Sequence, residues 1–90
     1  MPIQSITTHP HNLWMKYDDK EPWLNSIKKA LSFYFGRNNK PPSYIGINTK
    51  DIKKIGMIKG DILRGVIYKG YKIRIVVEKT CLEYHLQLYQ

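Results

Sequence analysis

Residues 82–89, Leu-Glu-Tyr-His-Leu-Gln-Leu-Tyr, alternate apolar and polar side chains almost without a break. A period of two fits a strand with one buried face and excludes an amphipathic helix. Leu82, Tyr84, Leu86 and Leu88 are expected to face a core, with Glu83, His85, Gln87 and Tyr89 facing outward. Just upstream, Asp61–Tyr68 and Tyr71–Glu78 flank Lys69-Gly70, a two-residue turn signal of the Asn-Gly kind. In that register Val66 meets Ile73 and Tyr68 meets Tyr71 on one face. Lys72 and Arg74 lie on the other face, opposite Ile67 and Gly65, and Gly65 is expected to mark a bulge. With Lys79-Thr80-Cys81 as the second turn, the C-terminal third reads as a three-stranded meander.

One helix accompanies these strands. Pro22 suits a first helical position, Glu21 the positive end of the dipole, and Gly36 a C-terminal stop. Projected at 100° per residue, Trp23, Leu24, Ile27, Ala30, Leu31, Tyr34 and Phe35 share one face. Phe33 falls on the polar side, where it is expected either to be covered by the N-terminal arm or to serve as an exposed contact. The stiff Pro41-Pro42 loop leads into a short strand, Tyr44–Ile47. Asn48 or Thr49 then caps a brief turn, Lys50–Ile55, whose Ile52 and Ile55 point inward. The expectation is a single α+β domain over 1–90, with an arm over 1–20 and the core over 21–90. One main helix packs on a small, mainly antiparallel sheet of about four strands, in the order helix, strand, short helical turn, meander.

With 90 residues there is room for one small core and for no large cofactor-enclosing fold. A single cysteine, Cys81, can neither staple the fold nor complete a zinc cluster, so no cofactor is expected. A lone thiol fits a reducing, cytoplasmic setting. Neither a signal-peptide pattern nor an apolar run of membrane-spanning length is present, so no membrane partner is expected.

The net charge of +8 is local. Residues 36–79 hold eleven basic and three acidic side chains, while the segments on either side nearly balance. Clustered charge makes a local potential and points to an acidic partner. Lys50, Lys53, Lys54, Lys59, Lys72 and Arg74 are the phosphate-contact candidates. Cations beside the outward His85, Gln87 and Tyr89 are the mixture a nucleic-acid backbone requires. Lysine outnumbers arginine twelve to three, which favours charge contact over base reading, in DNA or RNA alike. The same lysines would equally keep a small protein in solution and guard its strand edges.

A non-enzymatic binding protein is therefore the expectation, with nucleic acid as the first partner. The other partner class is an acidic protein surface, met by an interaction module, inhibitor or accessory subunit. Phe33, Tyr44 and Tyr89 are its contact candidates, because Tyr and Trp anchor interfaces. An open strand edge would also admit a second copy. Three further constellations are weaker. His9 and His11 form His-X-His, with only Asp18, Asp19 and His85 to complete a metal site. His85, Tyr84 or Tyr89, Lys72 and Arg74 would form an acid–base group only if the fold brought them into hydrogen-bond reach. Gly56, Gly60, Gly65 and Gly70 lie between and within strands, which makes them turn glycines and not a phosphate cradle. The run Pro42–Ile47, a capped turn, then Gly65–Ile73 resembles the layout of small phage and mobile-element α+β proteins. No site residue follows from that layout.

Overall fold

A computed structural model describes residues 12–90. His9 and His11 lie outside the described residues, as does any strand at Ile3 and Ile6. The chain runs β1 (Leu13–Lys16), α1 (Trp23–Asn38), β2 (Tyr44–Asn48), α2 (Asp51–Lys54), α3 (Lys59–Arg64), β3 (Val66–Tyr68), β4 (Tyr71–Glu78) and β5 (His85–Tyr89). This is a mixed α+β fold with a five-stranded sheet in the order β1-β5-β2-β4-β3.

The alternating strand faces divide the molecule into two layers. Ile45 and Ile47 of β2, Ile73 and Ile75 of β4, and Leu86 and Leu88 of β5 are buried in one cluster with Ile27, Ala30, Leu31 and Tyr34 of α1. Each such side chain contributes about 1.5–3 kcal/mol on full burial. Helix α1 begins after Pro22, as its sequence suggests, but does not stop at Gly36. Gly36 is exposed and stays helical, a placement that costs about 1 kcal/mol relative to alanine. The helix ends instead at Asn39, which takes the left-handed conformation (φ 56°) and donates its N–H to the Phe35 carbonyl at 2.8 Å.

The β3–β4 hairpin has the register read from the sequence: Val66 opposite Ile73, Ile67 opposite Lys72, Tyr68 opposite Tyr71. Lys69 and Gly70 both take positive φ, which matches the twist of the flanking strands. Ile55 is buried below α2 and Ile52 packs against the core, as expected.

Three expectations about the sheet's architecture are corrected. The sheet has five strands and not about four, because residues 13–16 of the presumed arm form the edge strand β1, paired antiparallel with β5. The last three strands are not a meander. β5 pairs with β1 and with β2, while β4 lies parallel to β2 on the far side, so β2 separates β4 from β5. Parallel neighbours need a long crossover, and α2, α3 and β3 supply it. Finally, the segment expected as a strand over Asp61–Tyr68 opens as helix α3. Asp61 Oδ2 accepts the Ile58 N–H at 3.0 Å, securing the first turn. Gly65, at φ 70°, then closes the helix and brings its backbone so near β4 that an added Cβ would lie 2.7 Å from the Ile73 carbonyl oxygen.

The strand expected over Leu82–Tyr89 begins only at His85. Tyr84 has a positive φ of 65°, which breaks the extended alternation and turns Leu82 and Tyr84 out to solvent. The six residues before β5 cross the sheet's second face. Cys81 lies over Gly46, and the Leu82 N–H donates to Gln87 Oε1 at 3.0 Å. Asn48 holds this crossing to the start of α2. Its Nδ2 donates to the Cys81 carbonyl at 2.6 Å, and its Oδ1 accepts the Lys50 N–H at 2.8 Å.

Candidate nucleic-acid interface

The uncovered part of the second sheet face and the flank of β4 next to α3 carry the candidate site. Lys72 and Arg74 alternate outward on β4, about 6.7 Å apart along the strand. Because β3 is only three residues long, β4 continues past it, and α3 borders the vacated flank. A groove of about 300 Å³ opens there, lined by Ile62, Leu63, Arg64, Gly65, Lys72, Arg74 and Ile75. Three cations line it, and among the described residues the lining contributes no carboxylate. Asp61 stands beside it, ion-paired to Arg64 at 2.7 Å, and its other oxygen is held by the helix start.

Arg74 is braced from β2. Tyr44 lies directly opposite it in the parallel register, and the guanidinium carbon is 6.0 Å from the Tyr44 ring centroid. Tyr44 in turn stacks on Tyr89 of β5, with centroids 4.7 Å apart and planes 21° from parallel. Burial pushes both phenols above the ordinary tyrosine range, so each stays a neutral hydrogen-bonding group. The result is a row across three strands, Arg74–Tyr44–Tyr89, that holds one guanidinium at the groove mouth.

The remaining phosphate-contact candidates do not join this group. α2 follows the far end of β2, where Asn48 stands beside Glu78, whereas Arg74 stands beside Tyr44 four residues earlier. The two ends are about 13 Å apart. Lys50 pairs with Glu83 at 3.7 Å and lines a second groove, of about 510 Å³, with Asn48, Thr49, Lys79 and Glu83. Lys54 donates to the Tyr84 hydroxyl at 3.0 Å, lies 4.1 Å above that ring, and is 3.7 Å from Asp51 Oδ1. The Tyr84 hydrogen bond raises the Lys54 ammonium pKa. Lys53 and Lys59 are exposed on α2 and α3.

No family model, curated protein or solved structure matches this chain. Any functional reading therefore rests on the geometry alone.

Among the contact candidates, Tyr44 and Tyr89 belong to the row, whereas Phe33, 56% exposed, is on α1 in the opposite layer. The groups weighed for acid–base chemistry come apart. His85 sits opposite Lys16 on β1 with Nδ1 2.8 Å from the Glu83 carbonyl, Tyr84 belongs with Lys54, and Tyr89 with Tyr44. Among the described residues no three His, Cys, Asp or Glu side chains come together to hold a metal ion. No helix among them is long and apolar enough to cross a membrane.

Arg64 is the site residue that the strand reading of 61–68 hides. The pattern Asp61-Ile62-Leu63-Arg64-Gly65 carries the signal that exposes it: an i,i+3 acid–base pair followed by a C-terminal glycine, which is how a short helix ends. Trp14, half-exposed, lies on the same sheet face as Gln87.

Proposed function

We propose that this protein binds nucleic acid through backbone phosphates, with little sequence preference, at the groove between α3 and β4. The convergence of Arg64, Lys72 and Arg74 on one groove supports this reading. Three cations against the single neighbouring carboxylate of Asp61 leave a local excess of positive charge, where phosphate contacts displace counterions. The Tyr44 ring limits the motion of Arg74, so less conformational freedom is lost when its fork meets a phosphate. A cytoplasmic setting, where nucleic acid is present and Cys81 stays reduced, agrees with it.

The test is binding of labelled DNA and RNA oligonucleotides at 50 and 200 mM salt. Salt-sensitive binding that collapses in a Lys72→Ala/Arg74→Ala double variant is the expected result. No salt-sensitive binding at the lower salt overturns the reading. Polyglutamate of matched charge that competes as well as the oligonucleotides also overturns it, and assigns the groove to an acidic protein surface.

A further inference from the structure

We infer that the ligand of this groove is single-stranded, an inference that rests on the nucleic-acid reading above. The observation is the character of the rim. Leu63 is 74% exposed and Ile67 is 70% exposed, the highest values among the large apolar side chains of the described residues. Both sit among the cations. Leu63 lines the groove immediately before Arg64, and Ile67 stands opposite Lys72 across the β3–β4 ladder. Ile62 and Ile75 complete an apolar lining between the charged side chains.

Cations alternating with exposed aliphatic groups call for a ligand that offers phosphate and apolar surface within the length of one or two nucleotides. A duplex does not. Its base faces are stacked inside, and its outer surface is phosphate and sugar, which would leave Leu63 and Ile67 against polar backbone. A single strand presents both groups at once: phosphates for Arg64, Lys72 and Arg74, and the faces of unstacked bases for Leu63 and Ile67. The groove's size agrees. About 300 Å³ is at the small end of sites that enclose small molecules, so a nucleotide enters it while a duplex lies across its mouth.

The same contacts predict modest, sequence-tolerant affinity. Aliphatic side chains cover a base face without reading its edge, and the lining's edge-reading donors, Arg64 and Arg74, are given to phosphates. The ring that faces Arg74, Tyr44, is stacked on Tyr89 and braces the guanidinium. Base contact therefore falls to Leu63 and Ile67.

The experiment compares one 12-nucleotide sequence as a single strand and as its duplex, in DNA and in RNA, by fluorescence anisotropy at 50 mM salt. Wild-type protein is expected to bind the single strand about tenfold more tightly than the duplex, the effect of covering the equivalent of one aliphatic side chain. A Leu63→Ser/Ile67→Ser variant changes only exposed positions. It is expected to keep its circular-dichroism spectrum and its duplex binding while losing the single-strand preference. Equal or tighter duplex binding overturns this inference and leaves the phosphate reading standing. A preference that persists in the double variant overturns the role given to Leu63 and Ile67. Absence of salt-sensitive binding to either form overturns both readings. The DNA and RNA arms show whether the sugar matters.

Discussion

The Asp51 carboxylate, fully buried at the start of α2, accepts the backbone N–H of Tyr84 through Oδ2 at 2.8 Å. Thirty-three residues separate the two in sequence, and the bond fixes the point where the chain turns, at positive φ, into β5. Lys54 approaches the other oxygen at 3.7 Å, and Tyr17 is buried beside it. Burial and this carboxylate hold the Tyr17 phenol in its neutral form.

Removing the carboxylate leaves the part-buried Tyr84 N–H without its acceptor, which costs about 1–3 kcal/mol. Asp51→Ala is thus expected to lower stability by about 2 kcal/mol, read from urea unfolding midpoints. Asp51→Asn keeps an oxygen for the Tyr84 N–H and should fall between alanine and wild type. An Asp51→Ala protein within a few tenths of a kcal/mol of wild type would refute the role given to this bond.

Cys81 makes a prediction about alkaline pH. Its thiol is buried over Gly46, and burial pushes its pKa from 9.0 up to about 11. Between those values the unfolded chain has lost the thiol proton while the folded one retains it, so stability falls as pH rises. The contribution is complete below pH 9 and gone above about 11. Urea midpoints at pH 8 and pH 10.5 should show a larger drop for wild type than for Cys81→Ala. Equal drops would count against the buried thiol.

How much of this was legible in the sequence depends on the range of the interaction. The β3–β4 register, the Pro22 start of α1 and the outward placement of Lys72 and Arg74 are local, set by turn chemistry and by side-chain period. The partners of β5 are not. Alternation at Leu86 and Leu88 says that a strand has one buried face, but not which strand lies beside it. The early end of the β5 pattern came from Tyr84, whose left-handed backbone answers to Asp51. For the candidate site, counting charge singles out the basic middle segment. It could not see that Glu83 and Asp51 engage Lys50 and Lys54, or that Asp61 draws Arg64 into a helix and so to the groove.

Gly46 predicts a steric conflict at the covered end of the sheet face. A Cβ there would sit 2.9 Å from Cys81 Sγ and 2.9 Å from Tyr89 Cε2, inside normal contact on both sides. Gly46→Ala is expected to cost about 1–3 kcal/mol, the range for overpacking a tight interior. Cys81→Ala removes one of the two obstructions. The double variant should therefore lose less than the sum of the single losses, while strict additivity in thermal or urea unfolding would contradict the contact.

Charge and bracing at the groove make separable contributions to binding. Each phosphate neutralised adds close to one unit to the slope of log K against log salt. Lys72→Ala and Arg74→Ala are each expected to reduce the slope by about 1, whereas Lys50→Ala and Lys53→Ala, outside the groove, leave it unchanged. Tyr44→Leu alters no charge, so the slope should stay at the wild-type value. It removes the ring 6.0 Å from the Arg74 guanidinium, a contact worth about 0.5–1 kcal/mol at an exposed site, and affinity should fall about two- to fivefold. Tyr44→Phe retains the ring and should bind as wild type does. Anisotropy titrations at four salt concentrations give slope and intercept together. A slope that changes with Lys53 and not with Lys72 would move the interface from β4 to α2. A Tyr44→Leu protein that binds at full strength would leave Arg74 acting as charge alone.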